Sequence, residues 1–365
     1  MLPAMVGDVV GRNIDPAASA KMVDRPAVSG QASEDPAQPF VTVVIPTRDR
    51  RDLLEKGLLA LSRQNYPTHR FEVIVVDNHS SDGTQEMVER VTRDTGLNLM
   101  CEQGPNRGPA PSRNVGARMA KGEILAFTDS DCAPAPGWLR AGVETLVRNP
   151  DVGVVSGPVR LPCDWSDVPF FSHYLSIEAE TFRFETANVF YRKSDFWAAG
   201  GFPELYSSEL LGTIQGGDDV EMGWMIRRRG YGSAFVREAS VVHAVQPINW
   251  RRWFAQPLAF FPLGLILRRC PELRSTLRWR MFLTLAAADR FKLLLAGVAL
   301  SFLHPVALLL ALPFLSYFVN PYPDDVKHPS RWPALLLKVA AWTIFNVILT
   351  VVLLASTIRY RRVIL

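Results

Sequence analysis

The chain has only four cysteines, Cys101, Cys132, Cys163 and Cys270, with no Cys-x-x-Cys pair and no regular spacing. That pattern argues against a disulfide framework or a structural zinc ribbon, and it favours reduced thiols in a cytosolic compartment. Charge of one sign is also scarce. A formal net charge of +4 over 365 residues does not imply a nucleic-acid partner. No Gly-x-Gly-x-x-Gly follows the first strand-like run, and no Gly-x-x-x-x-Gly-Lys-Ser/Thr occurs, so dinucleotide-dehydrogenase and P-loop readings fall away. A basic start followed by an apolar core and a cleavage site is missing, so no signal peptide is expected. Residues 1–39 are rich in Pro, Ala, Asp and Ser without periodicity and are expected to be a disordered leader.

What is present begins at Phe40. Val41 to Ile45 reads as a buried strand, and Leu54, Leu58 and Leu61 recur at helical spacing in residues 51–64. Val73 to Val76 is a second strand ending at Asp77, and Met87, Val88 and Val91 mark one face of the next helix. A weaker strand at Leu97 to Cys101 and a helix over residues 109–120 lead to Ile124–Thr128, a short apolar strand. Strands alternating with helices predict an α/β fold with a mostly parallel sheet covered on both faces.

The polar residues follow the strands. Pro46, Thr47 and Arg48 come after the first, Asp77 after the second, and Asp129-Ser130-Asp131 after the fourth. In an open α/β sheet ligands bind outside the carboxyl ends of the strands. Two hard oxygen donors separated by one small residue suit Mg²⁺ or Mn²⁺ carrying a phosphate. Taken alone, Asp-Ser-Asp is also an ordinary polar turn.

The segments Val44-Ile45-Pro46-Thr47-Arg48, Val75 to Thr84, and Asn106-Arg107-Gly108 leading to Ser112-Arg113-Asn114 resemble family 2 glycosyltransferases of the GT-A fold. Asp129-Ser130-Asp131 stands where that family keeps its metal-binding Asp-x-Asp. The likeness covers roughly residues 41–245, with the motifs in order. It implies a nucleotide-sugar donor, with Pro46, Thr47 and Arg48 lining the nucleotide pocket and Asp77 on the base. Arg107 and Arg113 would lie near the base or the diphosphate, and Asp129 and Ser130 would line the donor site. Asp129 and Asp131 would hold Mg²⁺ or Mn²⁺.

The second half continues the resemblance. Asn188 lies in Thr186 to Lys193, and Gly201, Phe202 and Glu204 lie in Gly200-Gly201-Phe202-Pro203-Glu204, where Pro203 replaces the usual Asp. These are the expected acceptor-binding residues. Asp218-Asp219 stands in the place of the family's Glu-Asp pair, which implies Asp219 as general base with Asp218 as the alternative. Adjacent carboxylates repel, which raises one pKa toward the range of a base. Carboxylates in a first helical turn also complement the helix dipole without any catalytic role. His243 closes a short strand as a third metal ligand or as a structural residue. Asn249-Trp250-Arg251-Arg252-Trp253 is similar to the Gln-x-x-Arg-Trp signature of processive polysaccharide synthases, with Asn in place of Gln, and it would add Arg252 and Trp253 to the acceptor side.

The last ~80 residues are far more apolar than the rest. The expected organisation is a leader over 1–39, a catalytic domain over 40–250, an interfacial segment over 251–290, and transmembrane helices over 291–319 and 334–357. Arginines flank the apolar pair on its outer ends, so the positive-inside rule places those ends and the catalytic domain on the cytosolic face of an inner or plasma membrane. A separate span over 281–302 would make three. The combined expectation is an inverting, metal-dependent glycosyltransferase acting at a membrane on a lipid-linked or cell-envelope glycan hydroxyl. A processive synthase, a hydrolase using two carboxylates and a catalytically inactive nucleotide-sugar-binding scaffold are the rivals.

Overall fold

The computed structural model describes residues 38–164, 167–181, 183–206, 216–276, 286–314, 330 and 332–362. The expected leader thus lies almost wholly outside the described residues. The chain divides into two compact units: residues 38–162 with Ser176–Ala244, and Cys163–Leu175 with residues 245–362. The expected boundary at 250 is close to the observed one. The inserted strip Cys163–Leu175, which joins the C-terminal unit, is not visible in the sequence.

The first unit opens with β1 (Val41–Thr47), α1 (Arg51–Leu61), β2 (Phe71–Asp77), α2 (Thr84–Thr95), β3 (Leu99–Gln103), α3 (Pro109–Met119) and β4 (Ile124–Thr128). Then come β5 (Cys132–Pro134), α4 (Trp138–Arg148), β6 (Val152–Ser156) and β7 (Val159–Arg160). After β8 (Ser172–His173), which belongs to the other unit, follow β9 (Asn188–Arg192), α5 (Lys193–Ala198), α6 (Asp218–Arg228), β10 (Gly232–Phe235) and β11 (Val241–His243).

Seven strands form one sheet in the order β10-β6-β9-β4-β1-β2-β3. All pairs are parallel except those of β9, which runs antiparallel to β4 and β6. β1 and β4 are buried along their whole length because helices cover both faces, and this is why their sequences read as continuous apolar runs. Parallel register sets Thr47 beside Asp77 and Asp77 beside Gln103, so polar tips from separate stretches of sequence share one rim. A smaller sheet, β5-β11-β7, lies after β4 in the chain and pairs His243 directly with Cys132.

Asn188 opens β9 and is 1% exposed. Its Oδ1 accepts from Trp138 Nε1 at 2.8 Å, and its Nδ2 donates to Pro158 O at 3.1 Å and Ala239 O at 2.7 Å. The amide is spent on tying β9 to two loops, so the acceptor role expected for Asn188 gives way to a structural one.

The second unit adds β12 (Gln246–Pro247), paired with β8, and the helices α7 (Trp250–Ala255), α8 (Leu263–Arg269), α9 (Ala286–Ser301) and α10 (Trp332–Tyr360). Its core is aromatic: Trp253, Phe291, Phe314, Trp342 and Phe345, with Phe170 and Phe171 packed against them. Gly264 sits where a Cβ would lie 2.7 Å from Ser356 Oγ, which lets α8 approach α10 closely enough for Gly264 N–H to donate to that hydroxyl at 3.0 Å. α10 buries one stripe, Leu335, Trp342, Phe345, Leu349 and Leu353, while Leu336, Leu337, Val351 and Ile358 are exposed.

The stretch expected to span a membrane, 334–357, lies within α10, the only described helix long and apolar enough to cross a bilayer. The expected single span over 291–319 is not. α9 stops at Ser301, and a separate short helix runs Pro305–Phe314, while residues 315–319 lie outside the described residues. Pro305 lacks an N–H and cannot continue the first helix, and the His304 side chain accepts from Val306 N–H at 3.3 Å to start the second. The single span over 291–319 is corrected accordingly, and the alternative span over 281–302 lies partly outside the described residues.

Asn188→Ala would leave three buried hydrogen-bond partners unsatisfied and should lower the unfolding free energy by roughly 2–4 kcal/mol, read as a drop in the urea midpoint at unchanged slope.

Candidate active site

The rim of the seven-stranded sheet carries the polar groups, and the loops that hold them brace one another. Asp49, at a positive φ of 48°, accepts from Ser81 N–H at 2.8 Å, and its own N–H donates to Ser80 Oγ at 2.9 Å. Asp77 Oδ1 accepts from Ser80 N–H at 3.0 Å, and no partner for Oδ2 occurs among the described residues. Thr47 Oγ1 is buried at the tip of β1 without a hydrogen-bond partner, the condition of a hydroxyl awaiting a ligand. Pro46 lies buried beside it, and Arg48 is exposed, donating to Asn106 Oδ1 at 3.1 Å.

Asn78 was not singled out from sequence, yet it organises this side. Its Oδ1 accepts from Ser112 Oγ at 2.9 Å and Asn106 N–H at 3.2 Å, and its Nδ2 donates to Gly108 O at 3.3 Å. Gly104 allows this, since a Cβ there would lie 2.4 Å from Asn78 Oδ1.

Arg113, on α3, is the centre of the site. Its buried guanidinium donates to Asp129 Oδ1 at 2.6 Å and reaches Asp218 Oδ2 at 3.5 Å, while its Nε has no partner. Burial alone would lower its pKa, but Asp129 and Asp218 outweigh that and the net shift is upward. One cation therefore joins the tip of β4 to the first turn of α6. Burial raises the Asp218 carboxyl above its ordinary value despite Arg113. Asp219 has no such ion pair. Burial, then the carboxylates of Asp218 and Glu185, push it up to about 8. Glu185 also had no sequence signal. It is fixed by Arg183 at 2.8 Å and Thr181 Oγ1 at 2.7 Å, in a loop whose Phe184 occupies space that only a glycine at 223 leaves open. The Tyr191 hydroxyl, buried among the same charges, has no hydrogen-bond partner.

Asp131 is buried on the other side of Ser130, itself buried. One carboxylate oxygen pairs with Arg50, a residue overlooked in the sequence, and the other lies 3.5 Å from His243 Nε2. His243 Nδ1 lies 2.7 Å from Ala244 O and donates to it, which turns Nε2 toward the carboxylate. Metal-ligating histidines are oriented in this way, by a carbonyl behind the far ring nitrogen. Asp131 and His243, in a cluster shared with Cys132, fit the expected Mg²⁺ or Mn²⁺, whereas Asp129, expected as a ligand, is paired with Arg113 and does not belong to that cluster.

The expected acceptor residues are only partly brought here. Glu204 receives Asn114 Nδ2 at 3.2 Å and pairs with Arg107 at 3.4 Å. Gly201, at φ 74°, and Phe202 are held by Asn114 through Phe202 N–H and O. Phe202 itself is a buried plug, edge-on to Phe127 at 4.9 Å, and not an accessible acceptor contact. Trp253 is corrected for the same reason: it is 2% exposed in the aromatic core of the other unit, and Asn249 Oδ1 caps its helix by accepting from Arg252 N–H at 2.9 Å. Arg252 is exposed in that unit, and the segment that resembled a synthase signature begins an ordinary capped helix.

The family profile for glycosyl transferase family 2 matches residues 42–211. Glycosyltransferase AglE of Haloferax volcanii is 31% identical over 219 residues, 58% of this chain and 69% of that protein. The chain belongs to glycosyl transferase family 2. Validoxylamine A glucosyltransferase of Streptomyces hygroscopicus subsp. jinggangensis is 27% identical over 240 residues, and the match spans about half of each chain, 56% in both. Mannosyltransferase PcManGT from Pyrobaculum calidifontis, solved in complex with GDP-Man and Mn²⁺, superposes with a TM-score of 0.52 at 24% identity over 92% of this chain and 91% of that one. That likeness establishes the GT-A fold. The family 2 chain is thus a glycosyltransferase, and the rim just described is the part of it that carries charged chemistry.

A carboxyl whose folded pKa lies above its unfolded value favours the fold while protonated, and that contribution is lost as pH rises through about 8. Asp219→Asn should therefore melt above the parent at pH 9, with the difference shrinking toward pH 4, as followed by calorimetry across that range.

Proposed function

We propose that the protein is an inverting glycosyltransferase that moves a sugar from a nucleotide-diphosphate donor to an acceptor hydroxyl, with Asp219 as general base. One observation carries this reading: of the two adjacent carboxylates at the start of α6, Arg113 pairs with Asp218 and leaves Asp219 without an ion pair among the described residues, with a pKa pushed up to about 8. A base poised near the operating pH combines a useful ionised fraction with proton affinity.

The donor's nucleotide lies along Pro46, Thr47, Arg48 and Asp77, where the unpartnered Thr47 hydroxyl and Asp77 Oδ2 supply hydrogen-bonding groups. Arg113 and Arg107 offer donors to the diphosphate, and a guanidinium presents them as a planar fork. Asp131 and His243 would hold Mg²⁺ or Mn²⁺, which when bound neutralises charge on the diphosphate leaving group. The acceptor oxygen gives its proton to Asp219 as it bonds to the anomeric carbon. The carbon–oxygen bond to the diphosphate breaks on the opposite face, and a single displacement of this kind inverts the configuration.

The acceptor class follows from the C-terminal unit. α10 and its exposed apolar face, with Arg359, Arg361 and Arg362 at the end of the chain, suit a membrane surface. A lipid-linked or cell-envelope glycan on the cytosolic face is the acceptor this favours. The inactive-scaffold reading does not account for a base held apart from the Arg113 pair. The burial of Trp253 removes the stacking ring that a processive synthase reading relied on.

Asp219→Asn should lower sugar transfer by at least about 10³-fold while donor affinity, measured by calorimetry with nucleotide sugar and Mn²⁺, stays close to the parent's. Near-parental turnover would remove Asp219 from the role. For the parent, log kcat should climb with pH and level off above the pKa of the base in the complex. The same limb should be missing from the residual activity of Asp219→Asn.

A further inference from the structure

The C-terminal unit holds a second apolar surface besides α10. α9 and the short helix Pro305–Phe314 fold back on each other as an antiparallel hairpin. Its base is fixed where Phe291 meets Phe314, ring centroids 5.6 Å apart, and both rings belong to the aromatic core. Higher up, Gly297 lets the legs close: a Cβ there would lie 2.8 Å from Ala307 O and 3.1 Å from Leu310 Cβ. The legs join at Phe302 and Leu303, which are 89% and 83% exposed. Leu295, Leu300, Leu309 and Leu312 are exposed along the legs, and no Asp, Glu, Lys or Arg occurs between Leu293 and Phe314. The charged residues of α9, Asp289, Arg290 and Lys292, all precede that stretch, at the base.

Exposed apolar side chains alone do not name an occupant, but the turn does. Leu303 N–H and His304 N–H both donate to Leu300 O, at 2.9 and 3.0 Å, and Ala307 N–H donates to His304 O at 3.0 Å. Val306 N–H donates to His304 Nδ1 at 3.3 Å, the Ser301 hydroxyl donates to Val298 O at 2.7 Å, and Pro305 has no N–H. Every backbone donor from Leu303 to Ala307 is thus satisfied inside the turn. Water would satisfy such donors itself. Hydrocarbon cannot, so a turn that enters it must close its own hydrogen bonds. A protein partner would call for a polar rim around an apolar centre, and the tip has none. Length decides the depth: from Phe291 to Phe302 the helix rises about 16 Å, and a bilayer's hydrocarbon core is about 30 Å thick.

We propose that this hairpin is a re-entrant wedge: it enters one leaflet of a bilayer from its charged base and returns without crossing, with Phe302 and Leu303 among the acyl chains. The inference rests on the reading of the C-terminal unit as membrane-facing, and it adds the element, the depth and the side of entry. Both ends of the wedge stay on one face of the bilayer. Phe291 and Phe314 then lie at the level of the headgroups, where aromatic side chains concentrate.

The test uses the full-length protein on vesicles of phosphatidylcholine and phosphatidylglycerol, and it reads no sugar transfer. Leu303→Cys carries an environment-sensitive fluorophore in a chain that also has Cys101→Ser and Cys163→Ser, since Cys132 and Cys270 are buried. The same chain without Leu303→Cys supplies the blank. On vesicle binding the label should shift to the blue, resist iodide on both sides of the membrane, and be quenched more by lipids spin-labelled deep in the acyl chain than by headgroup-labelled lipids. Phe302→Asp with Leu303→Asp, at exposed positions and checked by the melting curve, should lower the vesicle partition coefficient about tenfold or more. Quenching by iodide trapped inside the vesicles puts the tip beyond the far face and overturns the wedge in favour of a span. Quenching by external iodide, or by headgroup-labelled lipid alone, leaves the tip outside the hydrocarbon and overturns it too. A label already shielded without lipid, in a protein with the mass of a dimer, gives the tip to a second copy with the same consequence. In these three cases vesicle binding itself can persist, and the membrane-facing reading then stands. A protein that does not bind the vesicles defeats both.

Discussion

A single buried guanidinium governs the chemistry of this protein. Arg113 sits on α3, yet its two partners come from the tip of β4 and the first turn of α6. Removing one member of a buried ion network strands the charge of the others, so the three positions are locked together. The same contact discriminates between two neighbouring carboxylates. Asp218 is joined to a cation and Asp219 is not, and where the dielectric constant is low that difference sets two neighbouring carboxyls in unlike electrostatic surroundings.

The sheet makes this convergence available. Parallel strands deliver their carboxyl ends to one rim, so the loops after β1, β2 and β4 meet although the chain between them is long. β9 runs the other way, and its first residue is therefore set beside the last residue of β4. Asn188 uses its whole amide there to anchor the strand, and the tip of β4 gains a rigid support. The small sheet then places His243 against Cys132 and Asp131, which gives the site a second cluster of polar and ligating groups.

The C-terminal unit obeys a different constraint. Its aromatic core of Trp253, Trp342 and Phe345 buries one stripe of α10, while the apolar residues on other faces of that helix remain exposed. Hydropathy sees both stripes alike, because it counts side chains without regard to the direction in which they point. This is why 291–319 read as a span: its composition is apolar throughout, but Pro305 and the His304 cap divide it into two short helices. A tryptophan that looked like a stacking platform became a core residue for the same reason.

The strands β1 to β4, the helices between them and the order of the rim residues were legible in the sequence, whereas α4, β6 and β10 were not. Buried parallel strands must be continuously apolar, and a strand that ends in Asp or Thr-Arg announces its tip. Asp77, Arg113, Asp129, Asp131, Asp219 and His243 stand out as charged or ligating groups at such ends, and the structure sets them at strand tips and helix starts of one unit. Their partners were not legible. Arg50 against Asp131, Glu185 near Asp219 and Cys132 opposite His243 are separated by tens of residues or more and carry no local pattern, since a contact across strands depends on register and not on spacing. Local periodicity and residue type thus determined the elements and the kind of chemistry. Only the tertiary structure decided which carboxylate carries a counter-ion, which asparagine and aromatics are structural, and which donors share a cation site, because each of those depends on burial and on distances between groups remote in the chain.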